Sequence, residues 1–336
     1  MATKTTAPAP AVLDREQGTV RRLVGGHEIG ILVATLLIFL FCAVFVQNFL
    51  TASNLLSVAQ QIAFVGIVGT GMTFLIVAGE IDLSVGSQYG FLSVMMAYTV
   101  TEVGVPVAWA APLVLVVGAL IGLIQGLITT AFKVPSFVVT LAGLAVLRGA
   151  ALLIAGGQPI AGSTNQAFHR IVGGSAIGLL ASQTVWMAAV MGLAGWVLSR
   201  TKFGYDVYAV GGNTKAAMNA GIPAARIKVL CFVLTGALSG LAAVILVGWL
   251  GSANPLTGTG FELNVIAAVV VGGASLAGGV GSITGTLFGA VVAGLISNAL
   301  VLYGVDGNWQ QVATGFLILG AVLINRLIAT HQAALR

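Results

Sequence analysis

Charge is what this sequence has least of. Only 7% of its 336 residues are charged and 58% are hydrophobic, for a mean hydropathy of +1.06. A water-facing surface normally carries about a quarter of charged residues, so an ordinary soluble protein is excluded. Cysteine is nearly missing: Cys42 and Cys231 both fall inside apolar runs, where they read as buried small hydrophobes. A disulfide, metal site or thiol nucleophile has little support. The three histidines, His27, His169 and His331, lie outside every apolar run, and with scattered acids they form no plausible metal set. No Gly-x-x-x-x-Gly-Lys-Ser/Thr loop occurs, so the chain does not itself bind ATP through a P-loop. Gly-x-Ser-x-Gly is also absent, and no Ser/His/Asp arrangement suggests itself.

What is present is one long apolar run after another. Runs of about 18 residues or more read as transmembrane helices, and these fall near 29–47, 55–78, 85–101, 107–131, 135–155, 183–199, 228–250, 263–277, 283–302 and 309–326. The fold class is therefore an all-α integral membrane protein, polytopic, with about ten spans. The eighth is short for a crossing and reads as broken or re-entrant, since Gly/Pro interruptions mark backbone that lines a cavity. The 46 glycines suit close packing of membrane helices, which uses small residues. Residues 1–27, rich in Ala, Thr and Pro, form a disordered arm. Residues 28–327 form the transmembrane domain and 328–336 a tail. With the amino terminus in the cytoplasm, 12 of the 14 basic residues fall in inner segments, as the positive-inside rule requires. Both termini are then cytoplasmic. The net charge of +5 fits that membrane face better than a nucleic-acid site, so lipid is an expected partner and nucleic acid is not.

Acids are few, and one pair stands out. Val77-Ala-Gly-Glu-Ile-Asp-Leu-Ser-Val-Gly-Ser87 places Glu80 and Asp82 between the second and third spans. An acid at the centre of a membrane helix costs on the order of 3 kcal/mol. The topology instead puts both acids at the cytoplasmic ends of the two spans, as helix caps, hinge or gate. The other acids fall in loops, the arm or span ends, which argues against a proton-coupled carrier and for an external energy source. A faint internal repeat, Val85-Gly-Ser-Gln-Tyr-Gly90 against Val280-Gly-Ser-Ile-Thr-Gly285, is equally consistent with duplication and with chance in a glycine-rich chain.

The inner loop, about 200–227, is the most polar part of the core. Asn213 can cap a short helix over Thr214–Asn219, with Gly221 ending it and Pro223 preventing continuation. That helix either docks on a cytoplasmic partner or simply reconnects two spans. Along the spans, Gln61, Thr73, Gln125, Thr140, Asn264 and Asn298 either line a pathway or tie helix to helix. Arg148, within the fifth span, reads as a pathway charge or a snorkelling one.

Four ordered stretches together carry a resemblance. They are Gly79-Glu-Ile-Asp-Leu-Ser-Val-Gly-Ser87; Val134-Pro-Ser-Phe-Val-Val-Thr-Leu-Ala-Gly143 with Arg148-Gly149; Tyr208-Ala-Val-Gly-Gly-Asn213 with Ala216-Ala217 and Gly221-Ile222; and Ile266-Ala-Ala-Val-Val-Val-Gly-Gly-Ala-Ser-Leu-Ala-Gly-Gly279. From about 48 to 327 the chain resembles the permease subunit of the ribose/xylose/arabinose group of bacterial ABC importers. The resemblance implies a homodimer in the bacterial inner membrane that moves a neutral sugar or sugar alcohol by alternating access. It also implies a periplasmic sugar-binding protein and a cytoplasmic ATPase that binds the ATP and Mg, leaving no cofactor or catalytic residue in this chain. Gly79, Asp82, Ser84, Gly86 and Ser87 then match the gating or hinge motif. Gly211, Gly212, Asn213, Ala216, Ala217, Gly221 and Ile222 match the segment that contacts the ATPase. Many members have two glycines before the Ile-Asp-Leu-Ser core, so Glu80 departs from the pattern. The alternative is a self-sufficient, ion-coupled secondary sugar transporter.

Overall fold

A long apolar run satisfies its own backbone hydrogen bonds away from water only as a helix. The computed structural model, which describes residues 26–163, 165–177 and 180–334, is accordingly built of helices. In order they are α1 (Gly26–Phe45), α2 (Ala52–Val77), α3 (Val85–Thr101), α4 (Val107–Ala131), α5 (Ser136–Ala155), α6 (Ser182–Arg200), α7 (Lys202–Gly212), α8 (Thr214–Asn219), α9 (Ala224–Leu250), α10 (Phe261–Val271), α11 (Ile283–Leu302) and α12 (Asn308–Ala334). By length and composition α2, α4, α5, α9 and α11 can each cross a membrane, while Ile29–Phe45 and α10 are shorter apolar helices.

Each run expected to span coincides with one helix, and the departures have local causes. The run 263–277 stops at Val271, where Gly272 and Gly273, the latter at φ +92°, turn the chain. The last helix runs on to Ala334, through most of the expected tail. The expected arm 1–27 lies almost wholly outside the described residues. Residues 202–212 fall in the polar stretch expected as the inner loop, about 200–227. They form α7 because Val207 and Val210 bury on one face, and the Thr201 hydroxyl accepts from the Gly204 N–H at 3.3 Å. The chain is also not wholly helical. β1 (Ile160–Ala161) pairs antiparallel with β4 (Ser252–Ala253), and β2 (Ser175–Ile177) with β3 (Leu180–Ala181).

Helix α2 is almost entirely enclosed, and α9 mostly so, while α4 and α5 turn most of their surface outward. The tightest crossing is between α4 and α9. Gly118, Gly122 and Gly126 recur every fourth residue, so they share one face of α4. A Cβ on Gly122 would lie 2.1 Å from the Phe232 carbonyl oxygen, and one on Gly236 would lie 2.0 Å from that of Gly118. Backbone therefore meets backbone, the arrangement that small residues permit in membrane helices.

Contacts sort the connections to two ends. At the first, β1 meets β4, and the Tyr303 hydroxyl donates to the Phe45 carbonyl at 3.0 Å. At the second, Gly279 N donates to Val77 O at 2.8 Å, Ile81 N to Ser136 Oγ at 3.3 Å, and Tyr208 Oη to Gly281 O at 2.6 Å.

Candidate gating motif and coupling groove

The motif starts where α2 stops. Gly79 adopts φ +81°, with its N–H on Ile76 O, and the Glu80 N–H returns to Leu75 O. This pair of bonds is a Schellman ending, which needs the left-handed conformation that glycine adopts without penalty. Beyond it the chain is not helical until Val85. Leu83 N donates to Thr140 Oγ1 at 3.1 Å, so α5 offers two hydroxyls one turn apart, Ser136 and Thr140, to the unpaired backbone. Non-helical backbone inside a membrane bundle survives where protein covers it in this way.

Asp82 is fully buried. Its Oδ1 accepts from the Ser84 N–H at 2.7 Å and the Ser84 hydroxyl at 2.6 Å, and its Oδ2 accepts from Gln88 Nε2 at 2.8 Å. From α4, Gln125 Nε2 donates to Ser84 Oγ at 2.8 Å, while its Oε1 faces Gln88 Nε2 at 3.2 Å. Gln125 stands six residues before the end of α4, about 9 Å inward at 1.5 Å per residue. Asp82 therefore lies between the end of α2 and the start of α3, as expected, but it is sealed inside the bundle and not open at its end. The carboxylate supplies three acceptor contacts at the frayed start of α3, where the backbone lacks partners of its own. Gln88 was not singled out from the sequence, although a polar residue four after Ser84 in an apolar helix was a usable signal.

The remaining motif residues mark close packing. A Cβ on Gly86 would lie 2.4 Å from the Gly258 carbonyl oxygen, and one on Gly90 would lie 2.3 Å from that of Thr257. The Ser87 hydroxyl is buried and has no partner among the described residues. Arg148 Nη1 donates to the carbonyls of Pro255 and Thr257 at 2.9 and 2.8 Å. It clamps the connection before α10 against α3 and α5, which neither sequence reading of this arginine anticipated.

Removing Asp82 tests the network. Asp82→Ala leaves two buried donors unpaired at about 1–3 kcal/mol each and is expected to lower thermal stability strongly. Asp82→Asn is expected to cost about 1 kcal/mol, because its Oδ1 still accepts from Ser84 and only the bond from Gln88 Nε2 is lost, a group that keeps Gln125 Oε1 as a partner. Equal melting temperatures for the two variants in detergent would contradict this account.

Glu80 has a different fate. Its Oε1 lies 2.6 Å from Lys228 Nζ at the base of α9, with side-chain exposures of 12% and 19%. The pair borders a groove of about 320 Å³ whose walls include Thr130, Lys133, Pro135, Thr214 and Met218. Sequence reading did not connect Lys228 with Glu80.

Helix α8 forms the groove's edge over the interval that the capping pattern predicts. Asn213 Oδ1 accepts from the Ala216 N–H at 3.0 Å, and Gly221 turns the chain at φ +84°. Gly212, Asn213, Ala216 and Gly221 are exposed, Ile222 is half-buried and Ala217 is buried. Gly211 faces inward: a Cβ there would lie 1.7 Å from Val77 O and 2.7 Å from Gly279 N. It thus holds α7 against the end of α2. Met218, which the sequence did not single out, is 53% exposed beside the groove.

The pathway candidates separate into two groups. Thr73 meets Thr286 at 2.6 Å, Asn298 exchanges amide hydrogen bonds with Asn54, and Gln125 and Thr140 serve the motif above. These four engage protein partners within the bundle. Gln61 is exposed, and Asn264, half-buried beside a small cavity, meets the Thr314 hydroxyl at 2.8 Å.

A bundle of apolar helices with a broken-helix motif in its interior and a short polar helix presented at one end defines a polytopic membrane permease. The chain belongs to the family described as branched-chain amino acid transport system / permease component, whose model matches residues 54–323. It is 39% identical over 317 residues to the probable ABC transporter permease protein YphD of Escherichia coli K12, covering 94% of this chain and 95% of the relative. It is 40% identical over 299 residues to the ribose import permease protein RbsC of the same organism, covering 88% and 92%. To the L-arabinose ABC transporter permease protein AraH of Azospirillum brasilense it is 35% identical over 332 residues, covering 98% and 95%. No solved structure matches.

Proposed function

We propose that this permease carries a neutral sugar or sugar alcohol inward by alternating access, as the membrane subunit of a bacterial ATP-binding-cassette importer. The observation that carries the reading is the likeness over nearly the full chain to permeases named for ribose and L-arabinose. The family description names branched-chain amino acids, but those two relatives are named for pentoses. The same likeness favours this reading over an ion-coupled carrier.

Ten membrane crossings fit the two-ended sorting of the connections. The end carrying Lys133, Arg200, Lys202, Lys215, Arg226 and Lys228 then faces the cytoplasm, together with the amino-terminal arm and the tail. The exposed face of α8 and the adjoining groove suit a cytoplasmic ATPase that holds the ATP and Mg. Motion of that subunit would reach the broken-helix motif through Gly211 against Val77 and through Lys228 against Glu80. The opposite end is left for a periplasmic sugar-binding protein. A second copy of the chain and membrane lipid share the outward faces.

Reconstitution with the ATPase and binding protein encoded by neighbouring genes tests the reading. Uptake of ribose or arabinose that requires ATP supports it. Leucine uptake instead, or sugar uptake by this chain alone under a proton or sodium gradient, contradicts it. Met218→Glu places a charge on the proposed docking face and is expected to lower recovery of the ATPase with the permease about tenfold or more, since losing one well-packed interface side chain costs about 1–2 kcal/mol or more. Unchanged co-purification would move the docking site elsewhere.

A further inference from the structure

A cavity of about 110 Å³ lies between the first turns of α10 and α12. Thr259, Asn264, Gln310, Gln311 and Thr314 contribute neutral polar side chains to its wall, and no charged residue lines it. In a chain so poor in polar residues this concentration calls for a cause. Helix-to-helix bonding accounts for part of it: Thr314 Oγ1 lies 2.8 Å from Asn264 Oδ1 and 2.8 Å from its own helix at Gln310 O. One hydroxyl proton serves one acceptor, so with that proton on Gln310 O the Asn264 amide turns one N–H to Thr314 Oγ1. Its other N–H and the side-chain amides of Gln310 and Gln311 have no hydrogen bond among the described residues. Gly260, at φ +76°, keeps the opposite wall low, since a Cβ there would lie 3.3 Å from Gln311 Nε2.

We propose that this cavity is a cargo subsite, in which the amides of Asn264, Gln310 and Gln311 take up one hydroxylated edge of a neutral polyhydroxylated molecule. The inference rests on the cargo class proposed above. Each amide offers both a donor and an acceptor, and a sugar hydroxyl is likewise both. A charged ligand would find no counter-charge on the lining, whereas a neutral polyol needs none. The space holds several waters, enough for an edge of a ring, which suits transient contact during passage. Helices α10 and α12 both begin at the end assigned to the binding protein, where cargo is released into the bundle. Thr314, six residues into α12, sits about 9 Å below that start.

The test uses the complete reconstituted transporter, with D-ribose, L-arabinose and 2-deoxy-D-ribose presented at saturating binding protein. Gln311→Met and Asn264→Leu keep approximate shape and remove the hydrogen-bonding groups. Each is expected to change the ratio of uptake between sugars by about fivefold, the discrimination one neutral hydrogen bond supplies. A structural role alone would lower uptake of all three sugars in proportion. Unchanged ratios, with wild-type sugar uptake intact, overturn the subsite and leave the proposed cargo standing. No sugar uptake by the wild type overturns both. Should either variant fold poorly, Gln311→Cys at this already exposed position gives a second reading. Its labelling by a maleimide is expected to slow about fivefold once D-ribose or L-arabinose reaches about four times the subsite's Kd, and labelling indifferent to both sugars up to saturation of uptake overturns the subsite.

Discussion

Gly122→Leu is expected to eliminate properly folded protein from the membrane. At this position the Cβ alone would lie 2.1 Å from Phe232 O and 2.6 Å from Phe232 C. Both are backbone atoms, so no rotamer change relieves the overlap, and α4 and α9 must separate. Separation forfeits contact along a crossing that also includes Gly118, Gly126 and Gly236. Overpacking a well-packed interior usually costs about 1–3 kcal/mol, and a leucine between two touching backbones is expected at or beyond the upper end. Total stabilities of about 5–15 kcal/mol leave little margin for that. Gly192→Ala is the control, because nothing lies within 4 Å of a Cβ there. Size-exclusion profiles of fluorescent fusions in mild detergent would show a monodisperse peak for the control and none for Gly122→Leu. A normal peak for the leucine variant would refute the proposed crossing.

Lys228→Met is expected to damage the protein more than removing both members of its ion pair. The substitution leaves Glu80, 12% exposed, as an uncompensated carboxylate, and breaking a buried pair from one side costs about 3–5 kcal/mol. Because the groove admits some water beside this pair, about 1–3 kcal/mol is the expected range. Glu80→Gly alone is expected to be mild, since the Lys228 stem can carry its ammonium out into the groove. The double variant, Glu80→Gly with Lys228→Met, should recover most of the stability and ATP-driven uptake lost in Lys228→Met. The coupling across this double-mutant cycle measures the pair. A loss in the double variant equal to the sum of the two single losses would show that the pair contributes nothing.

These two sites differ in how far they were legible. The spacing of Gly118, Gly122 and Gly126 was open to inspection as a small-residue stripe, but what faced it was not. The bond between Glu80 and Lys228 spans 148 positions, and nothing local to either residue announces the other. The same holds for Arg148, whose carbonyl partners lie more than a hundred residues downstream. Asp82 shows the limit most clearly. Its place between two apolar runs suggested a span end, and it does lie between the end of α2 and the start of α3. What the sequence did not show is that side chains of α4 and α5 close over that connection and bury the carboxylate. By contrast, the Asn213 cap, the Gly221 turn and the ending of α2 at Gly79 depend on bonds among residues at most five apart, so inspection of the chain could find them.

That difference has one physical origin. Helix hydrogen bonds join residues four apart, and a hydrophobic span needs only an uninterrupted apolar run. Local sequence was therefore sufficient to specify the long apolar helices, their approximate ends, the short capped helix and, through four ordered motifs, the family, though not α7. Rotation and depth of each helix relative to its neighbours depend on side chains supplied by distant parts of the chain. Only the tertiary packing decided that Asp82 is sealed by Ser84, Gln88 and Gln125, that Gly211 rests on the end of α2, and that Asn264 and Gln311 wall one cavity.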